Sequence, residues 1–170
     1  MLPKIFFAYF AFAILFISML VVTRKNPVHS VLWMLLLFFH LAGLYLFLNA
    51  EFLAAVQIVV YAGAILVLFL FVVFLLNIKE EIKAKRFINA WPTSFTFALV
   101  LFLLFVMAFR SYLAPPAGPY TVKMIQSESN IAVLGKVLYT EFLFPFEIAS
   151  LILLIAIVGA IVLAKRRLKS

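Results

Sequence analysis

Five apolar runs, each long enough to cross a membrane as a helix, decide what this chain can fold into. They fall at about residues 5–22, 28–48, 52–76, 93–112 and 143–164. A helix needs about 20 apolar residues to cover the ~30 Å of bilayer hydrocarbon. Alternating in/out polarity is absent, so the runs are not strands of a membrane β-barrel. The longest remaining segment, about 114–142, is too short for a separate domain. The expected fold is an all-α integral membrane protein of five transmembrane helices, a single membrane domain over residues 1–170. The first run is too long for the apolar part of a signal peptide. Arg24 and Lys25 follow it where small residues and a cleavage site would stand. It is read as a retained span.

Composition narrows the function. Hydrophobic residues make up 68% of the chain and charged residues 12%. Soluble chains hold about 45–50% and about 25% respectively. A soluble enzyme, a disordered tail and a nucleic-acid binder are thereby excluded. The net charge of +8 sits in short clusters between apolar runs. With no cysteine, disulfides, thiolate metal sites and iron–sulfur clusters are excluded.

Those clusters set the expected orientation. Lys4, Arg110, Lys123 and Lys136 lie on one side, and the other ten of the fourteen basic residues lie opposite. By the positive-inside rule the N-terminus faces outside and the C-terminus the cytoplasm. Trp91 and Tyr112 bracket the fourth run as interfacial aromatics do. Lys79–Arg86 reads as a solvated helical extension, and Pro115, Pro116, Gly118 and Pro119 stop the fourth span. Ile131, Leu134 and Leu138 share one face of a short helix expected within 129–141, lying on the outer surface.

Ionisable groups inside a bilayer are functional candidates by default. Glu51 opens the third run, ~38 Å above Leu76 at helical rise, which reaches the interface. It reads as a solvated helix start or as part of a proton path. Glu147, ~26 Å from Ala164, falls inside the apolar layer near its outer edge, with Ser150 one turn on. It reads as a proton-exchanging carboxylate or as polar packing against a neighbouring helix. In the third run, continuous α-helical spacing puts Ala50, Ala54, Gln57, Tyr61 and Ala64 on one stripe. Small residues there allow close helix approach, and Gln57 and Tyr61 can bond across it. Ala62, Gly63 and Ala64 remove side-chain bulk at mid-helix, where a glycine permits a kink or a π-bulge. His29 and His40 share a face of the second run, but the chain has no other histidine to complete a haem site. Walker and dinucleotide-binding sequences are absent, so direct NADH binding is not expected.

Three blocks carry a family resemblance. Residues 51–77, centred on Val60-Tyr-Ala-Gly-Ala64, resemble the third span of NADH-quinone oxidoreductase subunit J, the chain 6 family of respiratory complex I. Asn26-Pro-Val-His-Ser30 resembles the motif opening that family's second span, and residues 130–167 resemble its last span. The resemblance implies a membrane-arm subunit of a proton-pumping NADH:quinone oxidoreductase, in the cell inner membrane, beside subunits of the H, A, K and N types. It implies no cofactor or metal on this chain and no catalytic residue; FMN, iron–sulfur clusters and quinone belong to partner subunits. It implies that the third helix switches between α and π forms at Tyr61, Ala62, Gly63 and Ala64, gating a water path. Phe69 would then seal that path. Gln57 stands where relatives carry an acidic residue, so no required proton carrier is expected there. The same subunit type would also suit a ferredoxin- or F420-linked dehydrogenase, a membrane hydrogenase or a cation/proton antiporter. A small dimeric proton-coupled exporter is the reading from another class.

Overall fold

A computed structural model describes residues 2–76, 91–110 and 121–165. It is all-helical, with no strand among the described residues. Five helices are long and apolar enough to cross a membrane. The Lys79–Arg86 extension, Tyr112 and the Pro115–Pro119 stop lie outside the described residues. The chain divides into two compact units, residues 1–119 and 120–170.

The first unit opens with α1 (Leu2–Thr23) and α2 (Pro27–Phe47). Asn26 caps α2, its side-chain oxygen accepting the Val28 N–H at 2.9 Å, and Pro27 fills the first helical position. Both are physical devices for starting a helix: the cap satisfies a donor with no intrahelical partner, and proline has no such donor to lose. The Asn-Pro pair thus acts as a start signal. Beside it the Arg24 guanidinium lies 5.5 Å from the Trp33 ring centre, tying the α1–α2 connection to α2.

Between α1 and α2 an aromatic cluster forms around Gly43. A Cβ added there would lie 2.8 Å from the Phe10 ring, so glycine is what lets Phe10 lie against α2. Phe10 also meets Phe47, Tyr9 and His40 at ring separations of 6.5, 5.3 and 6.5 Å. In lipid, where burial alone does not drive helices together, such close packing is what holds them.

α2 ends in a tight reversal. Asn49 takes a left-handed φ of 58°; the Ala50 N–H bonds the Tyr45 carbonyl at 2.9 Å and the Asn49 N–H bonds Leu46 at 3.1 Å. This is a Schellman closure with asparagine in the position usually held by glycine. It turns the chain within three residues and sends the third span back along α2. That span has three parts: α3 (Glu51–Val56), a π-helical segment (Gln57–Ile65) and α4 (Leu66–Leu75). The expected single run is present at full length, but its middle nine residues are not α-helical. The fourth span, α5 (Trp91–Arg110), packs against no other described element and is exposed throughout its described side chains.

The second unit contains α6 (Val122–Glu128), α7 (Asn130–Thr140) and α8 (Leu143–Ala164). α8 has the bounds expected from sequence. The Thr121 hydroxyl accepts the Met124 N–H at 3.3 Å and caps α6. α7 buries Val133 and leaves Ile131, Leu134 and Leu138 open, the apolar face expected from their spacing. Within the spans, hydroxyls turn back to their own helix: Ser18 to the Ile14 carbonyl, Thr96 to Pro92 and Ser150 to Glu147. Inside hydrocarbon no water is at hand, so this is how such groups are satisfied.

Candidate functional site

The candidate site is built on the third span where it faces α2. α3, the π segment and α4 all pack on α2. Their buried residues are Ala54, Gln57, Ala62, Leu66 and Val73. The steps from 54 to 57, 62 to 66 and 66 to 73 suit an α-helix of 3.6 residues per turn. The step from Gln57 to Ala62 is five residues and does not. It spans the π segment, where backbone bonds reach back five residues rather than four, as the Leu66 N–H does to the Tyr61 carbonyl. One extra residue is wound into that turn, and everything beyond it changes face.

This corrects the stripe inferred from α-helical spacing. Ala54 and Gln57 do lie in the seam against α2. Tyr61 and Ala64 do not: Tyr61 is 47% exposed and Ala64 is exposed, while Ala62 is 5% exposed. The cause is the five-residue turn, which leaves Tyr61 short of the seam and brings the Ala62 methyl into it. Phe69, on α4, is half-exposed.

Tyr61 is held on the flank of α2. Its ring meets Phe38 edge-on, with centroids 5.9 Å apart and planes at 76°. That is the geometry aromatic quadrupoles favour. Gly63 follows; a Cβ built there would lie 3.3 Å from the Ile58 carbonyl oxygen, the acceptor five residues back. The absent side chain therefore removes a tight contact that the π turn itself creates. Gln57 begins the segment with its side chain 6% exposed and with no hydrogen-bond partner among the described residues.

The carboxylates lie elsewhere. Glu51 is the first residue of α3 and exposed. There its charge faces the helix N-terminal dipole, and the Ala50 cap supplies no side-chain acceptor of its own. Glu147 is exposed on α8, and Ser150 donates to the Glu147 backbone carbonyl at 2.7 Å. Ser150 is thus joined to Glu147 through the main chain.

Among the described residues no three His, Glu, Asp or Cys side chains gather as a metal site would require. Both nitrogens of His40 are engaged. Nδ1 faces the Leu36 carbonyl at 2.8 Å, which can only accept, so Nδ1 carries a proton. Nε2 faces the Tyr9 hydroxyl at 3.4 Å.

Sequence reading named Ala62 for its small side chain but not for a place in the seam, and it missed Phe38 altogether. Ala62 reaches the seam only through the π turn, which has no reliable sequence signal. Phe38 sits in a Leu/Phe run of α2 where composition marks no residue out.

Comparison with known proteins shows the family. The family described as NADH-ubiquinone/plastoquinone oxidoreductase chain 6 matches residues 7–163. The chain belongs to that family. Among its relatives, NADH-ubiquinone oxidoreductase chain 6 of Cyanidium caldarium is 38% identical, covering 96% of this chain and 84% of the relative. NADH-quinone oxidoreductase subunit J of Rhodobacter capsulatus is 37% identical over 94% of this chain and 81% of its own length. Chain 6 of Chondrus crispus is 42% identical, covering 92% and 81%. This chain 6 family member, with five helices able to span a membrane, is a multi-pass membrane protein.

Proposed function

We propose that this chain is a membrane-arm subunit, itself without a redox centre, of a proton-pumping NADH:quinone oxidoreductase. Its third span gates a water and proton path that couples quinone reduction to proton translocation. Other subunits of that enzyme are its partners, those of the H, A, K and N types packing beside it. FMN, iron–sulfur clusters and quinone reside on partners. The chain lies in the cell inner membrane, N-terminus outside and C-terminus cytoplasmic.

The observation that carries the gating reading is the π turn at Gln57–Ile65 in the middle of a membrane span. π-helical turns are rare and concentrate at functional sites. Here the turn decides whether Tyr61 or Ala62 faces α2, and so whether a phenol hydroxyl or a methyl group occupies the seam. With Tyr61 turned out, its hydroxyl is available to entering water. From Ile65 to Leu76 no side chain can relay a proton, so water must enter or the helix must move. Phe69 and its neighbours keep that stretch dry when the path is shut. Glu51 and Gln57 on the third span, and separately Glu147 and Ser150 on α8, are the candidate groups for proton transfer or polar packing.

The test is Gly63→Leu in the assembled enzyme. Coupled NADH:quinone turnover falls further than NADH oxidation by an artificial acceptor. Equal loss of both activities means failed assembly and removes the gating reading. Affinity purification in mild detergent followed by mass spectrometry tests the assignment to this machine. Flavin and iron–sulfur subunits accompany the chain, whereas a lone homodimer would sink it.

A further inference from the structure

We propose that Phe38 of α2 is the positioning residue that sets the register of the third span, by holding Tyr61 on one flank of the seam. The inference deepens the gating reading and rests on it only for its consequence in the enzyme.

The geometry comes from counting residues around the helix. Gln57 and Ala62 share the seam five residues apart, so Tyr61 stops about 70° short of it. In an unbroken α-helix Tyr61 would lie about 40° past the direction of Gln57. The two registers put the Tyr61 ring on opposite sides of the seam, about 110° apart. Phe38 touches the ring in the π register. Rewinding to α carries the ring across the seam and breaks that contact.

The sequence supports both registers. The π register buries Ala62, Leu66 and Val73. The α register would offer Tyr61, Ile65 and Val72, each one position earlier and each apolar or aromatic. Hydrophobicity alone therefore chooses weakly between them, since neighbouring residues of the span are all compatible with lipid. A specific contact has to break the tie. The edge-on Phe38–Tyr61 pair is the aromatic contact found between α2 and the third span among the described residues, and it belongs to one register only. An aromatic pair of this kind shifts a two-state equilibrium about two- to tenfold.

The experiment uses the full chain in lipid nanodiscs. It has no cysteine, so spin labels at Leu53→Cys and Leu68→Cys are unique. Both positions are exposed, and they flank the π segment. A change of register rotates one label around the helix axis relative to the other, and pulsed EPR distances report it. The comparison is made in the labelled chain and in a Gly63→Ala background, where the populations lie closer. Phe38→Leu raises the α-register population about two- to tenfold. Phe38→Tyr keeps the ring and keeps the starting distribution.

An unchanged distance distribution in Phe38→Leu overturns the proposal. So does a Phe38→Tyr variant that behaves like Phe38→Leu, because the ring would then not be what holds Tyr61. In the assembled enzyme the two readings separate. Shifted distances with normal coupling support Phe38 as the register-setting residue and remove the gate. Unshifted distances with impaired coupling remove Phe38's role and leave the gate standing.

Discussion

Gln57 and Ala62 stand five residues apart and share one buried line against α2, a spacing no α-helix provides. The extra residue lies between them, and Val59, 68% exposed, contacts the seam least. Deleting Val59 restores a four-residue step from Gln57 to Ala62. Ala54, Gln57, Ala62, Leu66 and Val73 then line up on a continuous α-helix with their packing kept. The expected variant assembles and oxidises NADH with an artificial acceptor normally, yet loses coupled turnover because it has no second register. Blue-native gels and paired activity assays check this. Wild-type coupling in the deletion variant would show that the π turn is dispensable.

Gly63 argues the same point from the opposite side. Its missing Cβ avoids a 3.3 Å contact with the Ile58 carbonyl. Alanine also favours an α-helix over glycine by about 1 kcal/mol. Gly63→Ala should therefore shift the segment toward the α register by several-fold while the chain still folds. Backbone carbonyl chemical shifts of Tyr61–Ala64 in isotopically labelled chain would move toward α values. Shifts identical to wild type would mean that the glycine does not tune the register.

These residues also mark how far the sequence could be read. Five spans, their approximate limits and the all-α fold follow from run length, because the bilayer demands about 20 apolar residues and closed backbone hydrogen bonding. The start of α2 was legible as well, since Asn-Pro is a local device whose meaning needs no neighbour. The seam beyond Gln57 was not. A stripe drawn from 3.6-residue spacing selects Tyr61 and Ala64, and one residue wound into the π turn moves both out. Register is a global property of the span, while the residues at the break are ordinary valine, alanine and glycine. Phe38 was invisible for the related reason that its importance lies in a partner 23 positions away.

Gln57 permits a test that separates packing from chemistry. The residue is 6% exposed and makes no described side-chain hydrogen bond. Gln57→Leu breaks no described bond, so stability should hold to within about 1 kcal/mol. If the amide greets water entering beside the π turn, coupled turnover falls even though the chain is no less stable. Thermal unfolding of the chain and proton translocation by the enzyme are the paired measurements. A variant normal in both would leave Gln57 as inert filling of the seam.

Gly43 supplies a prediction about the scaffold that holds the seam's other wall. A Cβ at this position would lie 2.8 Å from the Phe10 ring, and that ring is already hemmed by Tyr9, His40 and Phe47. Overpacking of a tight contact costs about 1–3 kcal/mol. Gly43→Val should lower the thermal stability of the detergent-solubilised chain and reduce the amount assembled. Shrinking the obstructing ring should return part of the loss, so Gly43→Val with Phe10→Leu unfolds at a higher temperature than Gly43→Val alone. Gly135 and Gly159 are the controls, since a Cβ at either meets nothing within 4 Å. Alanine there should be neutral or stabilising by up to about 1 kcal/mol, because a helix interior prefers it to glycine. Should Gly135→Ala or Gly159→Ala destabilise as much as Gly43→Val, the Phe10 contact would not be the reason for glycine at position 43.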